Sequence, residues 1–198
     1  MKKLWLLLLC FTFLPASKVV AQNEDTERVY THVLSIHPFS FTVGGFEMGY
    51  EFATRFPNSL RVQAGYFLSG NAPGLDGKNL EGLKLETQYR FYLQEKKLPL
   101  RGGYVAPYAL YKQMQFESYE YNNFNNQYVE KQGSAWGAGV LLGTQGNIGK
   151  RTTIDLYVGG GVVAPIDDKD VEQIDIPIVN PYKKAIVGRV SLTIGVAL

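Results

Sequence analysis

From Ile186 to Leu198 every second residue is apolar apart from Gly188: Ile186, Val190, Leu192, Ile194, Val196 and Leu198. Arg189, Ser191, Thr193, Gly195 and Ala197 stand between them. Successive side chains of a strand point to opposite faces, so this pattern predicts a strand with one apolar and one small or polar face. The same period recurs upstream. Phe46, Met48, Tyr50 and Phe52 alternate with Glu47, Gly49, Glu51 and Ala53. Leu60, Val62, Ala64, Tyr66 and Leu68 alternate with Arg61, Gln63, Gly65 and Phe67. Leu83, Leu85, Tyr89, Phe91 and Leu93 oppose Lys84, Glu86, Gln88, Arg90 and Tyr92, and Ile154, Leu156, Val158 and Val162 oppose Asp155, Tyr157, Gly159 and Gly161. Eight strands are expected, at about 29–41, 44–54, 59–69, 80–94, 103–117, 132–144, 152–164 and 184–198. Pro38 interrupts the first and leaves its apolar face ambiguous. The fold class is therefore all-β, an eight-stranded antiparallel up-and-down barrel.

Connection lengths support this reading. Connections two, four and six (54–58, 95–102 and 145–151) are the shorter ones, and connections three, five and seven (70–79, 118–131 and 165–183) are long. Such alternation belongs to an up-and-down barrel with short turns at one end and long loops at the other. The short first connection, near Val43–Gly45, departs from it.

The start of the chain reads as an export leader. Lys2 and Lys3 precede the apolar run Leu4–Leu14, and Val19-Val20-Ala21 fits a cleavage site before Gln22. Residues 1–21 are thus expected to be a signal peptide and 22–198 one barrel domain. Cys10, the single cysteine, would leave with the leader, so disulfides and thiolate chemistry are excluded for the rest. The precursor carries 20 basic and 18 acidic residues. Losing Lys2, Lys3 and Lys18 leaves 17 against 18, near neutrality and without a basic block, which gives no basis for nucleic-acid binding.

Alternation alone permits either face to point outward. The non-apolar face carries Gly137, Gly139, Gly143, Gly159, Gly161 and Gly195, which suit a cramped interior beside large neighbours. It also carries Glu47, Glu51, Glu86 and Asp155 with Arg61, Lys84, Arg90 and Arg189. Four charges of each sign would balance as a structural network inside a narrow barrel, where an unpaired charge is costly. Tyr66, Phe91, Tyr104, Tyr108, Phe116 and Trp136 would lie on the outer face near strand ends, as an interfacial girdle does. The expectation is a membrane barrel with a filled, charged lumen rather than a channel.

The chain resembles the small eight-stranded outer-membrane β-barrels of Gram-negative bacteria, and within them a Bacteroidota-type family of unknown function. The resemblance rests on Ser35-Ile36-His37-Pro38, Gly45 to Tyr50-Glu51-Phe52, Gly102-Gly103-Tyr104-Val105-Ala106-Pro107-Tyr108 and the terminal strand. It implies an outer-membrane location, contact with membrane lipid and lipopolysaccharide, assembly by the barrel-assembly machinery, and a monomer. The family's terminal strand usually ends on an aromatic residue, and Leu198 departs from that.

Candidate chemistry is sparse, and no cofactor is expected. His32 and His37, the only histidines, lie near Ser35, Ser40 and Glu47, but no nucleophile-elbow pattern accompanies them. Asp167, Asp168, Asp170, Glu172 and Asp175 could gather a divalent cation, yet the spacing lacks the glycine and final glutamate of an EF-hand, so a solvated acidic loop is favoured. Tyr119, Tyr121, Phe124 and Tyr128, set among asparagines, form either a surface-contact loop or a polar hairpin extending the barrel. A structural or surface-interaction protein is expected, not an enzyme. A lipid-modifying barrel enzyme and a soluble lipocalin-like carrier are the alternatives.

Overall fold

The computed structural model describes residues 30–55, 57–69, 80–93, 99–122, 125–166 and 185–198. The expected leader, most of the acidic segment and Phe124 lie outside them. Eight strands form one closed antiparallel barrel in sequence order: β1 (His32–Ile36), β2 (Gly45–Ala53), β3 (Asn58–Ser69), β4 (Leu80–Tyr92), β5 (Gly102–Asn122), β6 (Asn125–Ile148), β7 (Thr152–Pro165) and β8 (Ala185–Ala197). Among the described residues no helix is long and apolar enough to cross a membrane.

The ladders give the barrel its dimensions. From Leu34 the register runs through Tyr50, Val62, Thr87, Ala109, Ala138 and Val162 to Ile186, whereas across the closing pair Leu34 faces Val196. The stagger around the barrel is ten residues. With ordinary strand rise and spacing, eight strands so staggered tilt by about 40° and enclose a cylinder of roughly 8 Å radius, which side chains can fill.

Strand one differs from expectation. It has five residues rather than thirteen, because Pro38 ends it and starts a 3-10 helix, Pro38–Val43, capped by left-handed Gly44. This helix takes the place of the missing upper part of the strand. Gly44 accepts from the Leu68 N–H, and His37 N–H donates to Glu47. β1 pairs with β8 over only four positions, Val33↔Ala197 to Ile36↔Ile194.

Strands β5 and β6 differ in the opposite sense. They remain paired from Gly102↔Gln145 out to Asn122↔Asn125, whereas β4 stops pairing at Leu80↔Phe116 and β7 at Ala135↔Pro165. The expected long loop at 118–131 is therefore a two-stranded ribbon projecting past the barrel, with Tyr119 and Tyr128 directly paired. It marks the hairpin end; the opposite, terminal end holds Tyr30 and Leu198.

Facing is inverted relative to a soluble barrel. Val140, Leu142, Val158, Val162, Val190 and Trp136 are each at least half exposed, while Arg61, Arg90, Glu51 and Gln88 are among the most completely buried side chains. Aromatic pairs sit on the outside near both ends: Tyr111–Trp136 toward the hairpin end, Tyr89–Phe91 and Tyr50–Phe52 toward the terminal end. Tyr66 and Phe91 are outside too. Tyr104 and Tyr108 are not: both are buried in the interior, which corrects their expected place in the girdle. No side-chain position is described for Phe116.

The reason lies across the ladder. Gly143 faces Tyr104, and a Cβ there would collide with the tyrosine ring. Gly139 and Gly161 leave the room that Tyr108 occupies. The glycines make space, and the two tyrosines are the large neighbours that need it.

The terminal end is stoppered. Leu100, a non-glycine residue in the left-handed region (φ 59°), turns its side chain into a cluster with Val33, Tyr92 and Tyr104. Such a backbone costs about 1–3 kcal/mol. Its carbonyl accepts a bond from Gln145 Nε2 at 3.1 Å, which fastens the stopper to the wall.

Candidate functional site

The barrel interior is the one concentration of polar chemistry among the described residues, and it is built as two charge-balanced groups. Period-two alternation on β2, β3, β4, β7 and β8 delivers every member inward. In the group nearer the terminal end, Arg90 donates to Glu51 at 3.0 Å and to Asp155 at 2.9 Å, and Arg61 donates to Asp155 at 2.7 Å. Glu51 also accepts from Ser59 (2.6 Å) and Tyr92 (2.7 Å), and Asp155 from Tyr104 (2.7 Å). The Arg90 guanidinium lies 4.3 Å from the Tyr104 ring centre. Two cations thus meet two anions whose four oxygens all accept hydrogen bonds, the condition under which buried charge is tolerated.

The second group, toward the hairpin end, joins Lys84 and Arg189 to Glu47 and Glu86. Lys84 Nζ lies 2.6 Å from Glu47 and 3.3 Å from Glu86. Arg189 grips Glu86 with two parallel bonds of 3.0 and 2.8 Å, and its guanidinium lies 4.7 Å from the Tyr108 ring centre. Such a fork is the strongest ordinary ion-pair geometry.

Neutral side chains link the groups. Gln88 donates to Glu86 at 2.8 Å and accepts from Arg90. The Gln63 amide, turned so that its nitrogen faces Glu47 (3.1 Å), accepts from Arg61 Nε (2.8 Å) and Gln88 (2.9 Å). His37 is the third link. Arg61 can only donate, so Nε2 of His37, 3.2 Å away, is the acceptor and the ring is neutral. Its Nδ1–H then donates to Ser191 Oγ at 3.2 Å.

This arrangement bears on nucleophilic chemistry. His37 lies within reach of both Ser191 and Glu47, the carboxylate standing 3.9 Å from Nε2. The proton sits on the nitrogen facing the serine, however, and the other nitrogen is occupied by a guanidinium. A general base needs a free lone pair toward its serine. Ser35 bonds to the Gly49 carbonyl and Arg61, Ser40 bonds to the His37 carbonyl, and His32 pairs with Tyr50 on the exposed surface. Among the described residues, none of these serines faces a free histidine lone pair.

All eight charged residues singled out from the sequence, Glu47, Glu51, Arg61, Lys84, Glu86, Arg90, Asp155 and Arg189, lie in this network. Of the surface-contact candidates, Tyr119 and Tyr121 are on β5 and Tyr128 on β6, in the projecting ribbon. Among the described residues no cluster of His, Cys, Asp and Glu could hold a metal ion, and Asp167–Asp175 fall outside them.

Residues 18–194 match the model of a family described as a protein of unknown function, DUF3575. The chain belongs to this family. No curated protein and no solved structure matches it. Sequence reading missed the parts that three residues play in this DUF3575 barrel: Tyr92, Tyr104 and Gln145. On β5 both alternating faces carry apolar groups, so period alone could not orient it. The signal that could have done so is the run of glycines on β6, its ladder partner.

Proposed function

We propose that this is an exported outer-membrane β-barrel of Gram-negative type, with a structural or surface-interaction role and a lumen filled by side chains. The observation that carries the reading is the inverted facing: half-exposed valines, leucines and isoleucines around the outside and wholly buried arginines within. In water such an exterior would be a large apolar patch, whereas hydrocarbon is the solvent that suits it. Aromatic pairs near both ends fit the two interfaces of a bilayer. The leader pattern at 1–21 supplies the export route, and the terminal end would face the periplasm.

The filled lumen supports a scaffold rather than a pore, and the neutral His37 donating to Ser191 supports a non-enzymatic role. The ribbon of β5 and β6 is then the part best placed to meet partners outside the cell. The test is gel mobility of washed outer membranes before and after boiling. A compact, faster-migrating form present only in the unboiled sample supports the reading. Recovery of the protein in the soluble periplasmic fraction overturns it.

A further inference from the structure

Among the described residues, the hairpin half of the interior holds one cation more than its anions neutralise. Lys112 lies directly opposite Lys84 in the β4–β5 ladder, so both side chains share the inner face. It is half-buried, and among the described residues it makes no ion pair or hydrogen bond. Lys84, Arg189, Glu86 and Glu47 are the charged groups that act on it. With His37 neutral, three cations stand against two carboxylates, whereas the terminal group is balanced.

A second observation comes from the opposite wall. Tyr157, 1% exposed, has the only buried side-chain oxygen or nitrogen among the described residues without a hydrogen-bond partner. Its hydroxyl belongs to the same neighbourhood, since Tyr157 interacts electrostatically with both Lys84 and Arg189, and the Arg189 guanidinium stands 6.0 Å from its ring centre. A buried hydroxyl without a partner is rare and calls for an explanation. Lys84 has three N–H donors and two carboxylate partners, so it retains donor capacity.

From the surplus cation and the unpartnered hydroxyl we infer a binding site for a small phosphate-type oxyanion in the hairpin half of the lumen, held by Lys112, Tyr157 and Lys84 with Arg189 behind them. One negative charge would cancel the excess. Several oxygens on one centre would accept from a hydroxyl and two ammonium groups at once, which a spherical halide satisfies less well. The site sits at the end of the barrel that carries the projecting ribbon. Its geometry is independent of what surrounds the outer wall.

The test uses the full chain folded in detergent micelles, with unfolding temperature measured in inorganic phosphate and in chloride at matched pH and ionic strength. Phosphate is expected to raise the unfolding temperature saturably, because a ligand of the native state stabilises it by mass action. Tyr157→Phe removes an oxygen that bonds no protein atom, so stability without phosphate should be unchanged while phosphate affinity falls about tenfold. Lys112→Gln should weaken phosphate by a similar factor, and Lys112→Arg should retain most binding. If Lys112→Gln does not fold, Tyr157→Phe and Lys112→Arg carry the comparison.

A parallel arm replaces inorganic phosphate with a lysophospholipid carrying a terminal phosphate monoester. Protection by both probes assigns the phosphate group itself, with lipid as a source, and protection by inorganic phosphate alone assigns a soluble ion. The inference is overturned if phosphate gives no more protection than chloride, or if both Tyr157→Phe and Lys112→Gln leave its effect intact. It is also overturned if Tyr157→Phe loses the same stability with and without phosphate, which would mark the hydroxyl as held by water alone.

Discussion

Arg90 shows what the interior demands of a single residue. It is wholly buried and has five N–H donors, and its bonds run to Glu51, Asp155, Gln145 and twice to Gln88. Arg90→Gln would leave Glu51 and Asp155 short of positive charge in a dry space. We expect it to cost about 3–5 kcal/mol, read as the midpoint of urea unfolding followed by Trp136 fluorescence. Adding Glu51→Gln should recover part of that loss. The coupling between Glu51 and Arg90 should exceed that between Glu51 and Arg61, since Arg61 goes to Asp155 instead. Equal coupling would show that the charges act as a diffuse pool rather than as the observed pairs. The glycines make a parallel comparison. A methyl at Gly143 meets the Tyr104 ring, whereas at Gly146 it meets nothing. Gly143→Ala is expected to destabilise by about 1–3 kcal/mol, as overpacking does. Gly146→Ala should be neutral or stabilising by roughly 0.5–1 kcal/mol. Similar values for the two would remove the steric account of the tyrosine–glycine packing.

At the scale of elements, alternation made five strands, β2, β3, β4, β7 and β8, legible to within a few residues, because a strand with one apolar and one charged face writes its period plainly. The charged interior was legible for the same reason: Arg61, Arg90 and Asp155 fall at inward positions of unambiguous strands. The ends of β5 and β6 were not. Polar residues such as Asn122 and Asn125 read equally well as loop, and only the continuing ladder decides. The facing of Tyr104 and Tyr108 was lost because tyrosine suits an interface and a polar lumen alike. The ribbon also yields a prediction. Among the described residues β4 reaches β5 no further than Phe116, and the end of β7 reaches β6 no further than Ser134, whose carbonyl accepts from the Ile166 N–H, so the barrel is not expected to depend on what lies beyond them. Excising 118–129, which removes whole register pairs, and closing with Asn-Gly should leave the compact unboiled gel form intact. Loss of that form would make the ribbon part of the folding core. If the ribbon meets partners, binding of cells or extracellular protein should fall in the same variant.

For the whole molecule, the inverted facing and the filled lumen make separate demands. Val158 is half exposed on the outer face in the middle of β7. Val158→Arg should cost about 2–4 kcal/mol if its surroundings are hydrocarbon near the bilayer midplane, seen as loss of the compact form from the outer-membrane fraction. Normal assembly would show that water bathes this face. In planar bilayers the folded protein should give no steady, porin-sized current steps, because Leu100 closes one end and the charged pairs occupy the middle. Sustained ohmic conductance would contradict a packed interior.

The closing joint of the cylinder is its shortest: four residue pairs unite β1 with β8, against twenty-one between β5 and β6. Beyond Ile194 the edge of β8 meets the 3-10 helix rather than a strand, and His37 to Ser191 is the hydrogen bond that crosses there among the described residues. The wall therefore has one unstitched meridian. In deuterium exchange, the amides of β8 that point away from β7 between Val187 and Leu192 should label well before their neighbours. When the molecule is pulled open or heated, the tear should begin on that line and run from the hairpin end toward the termini.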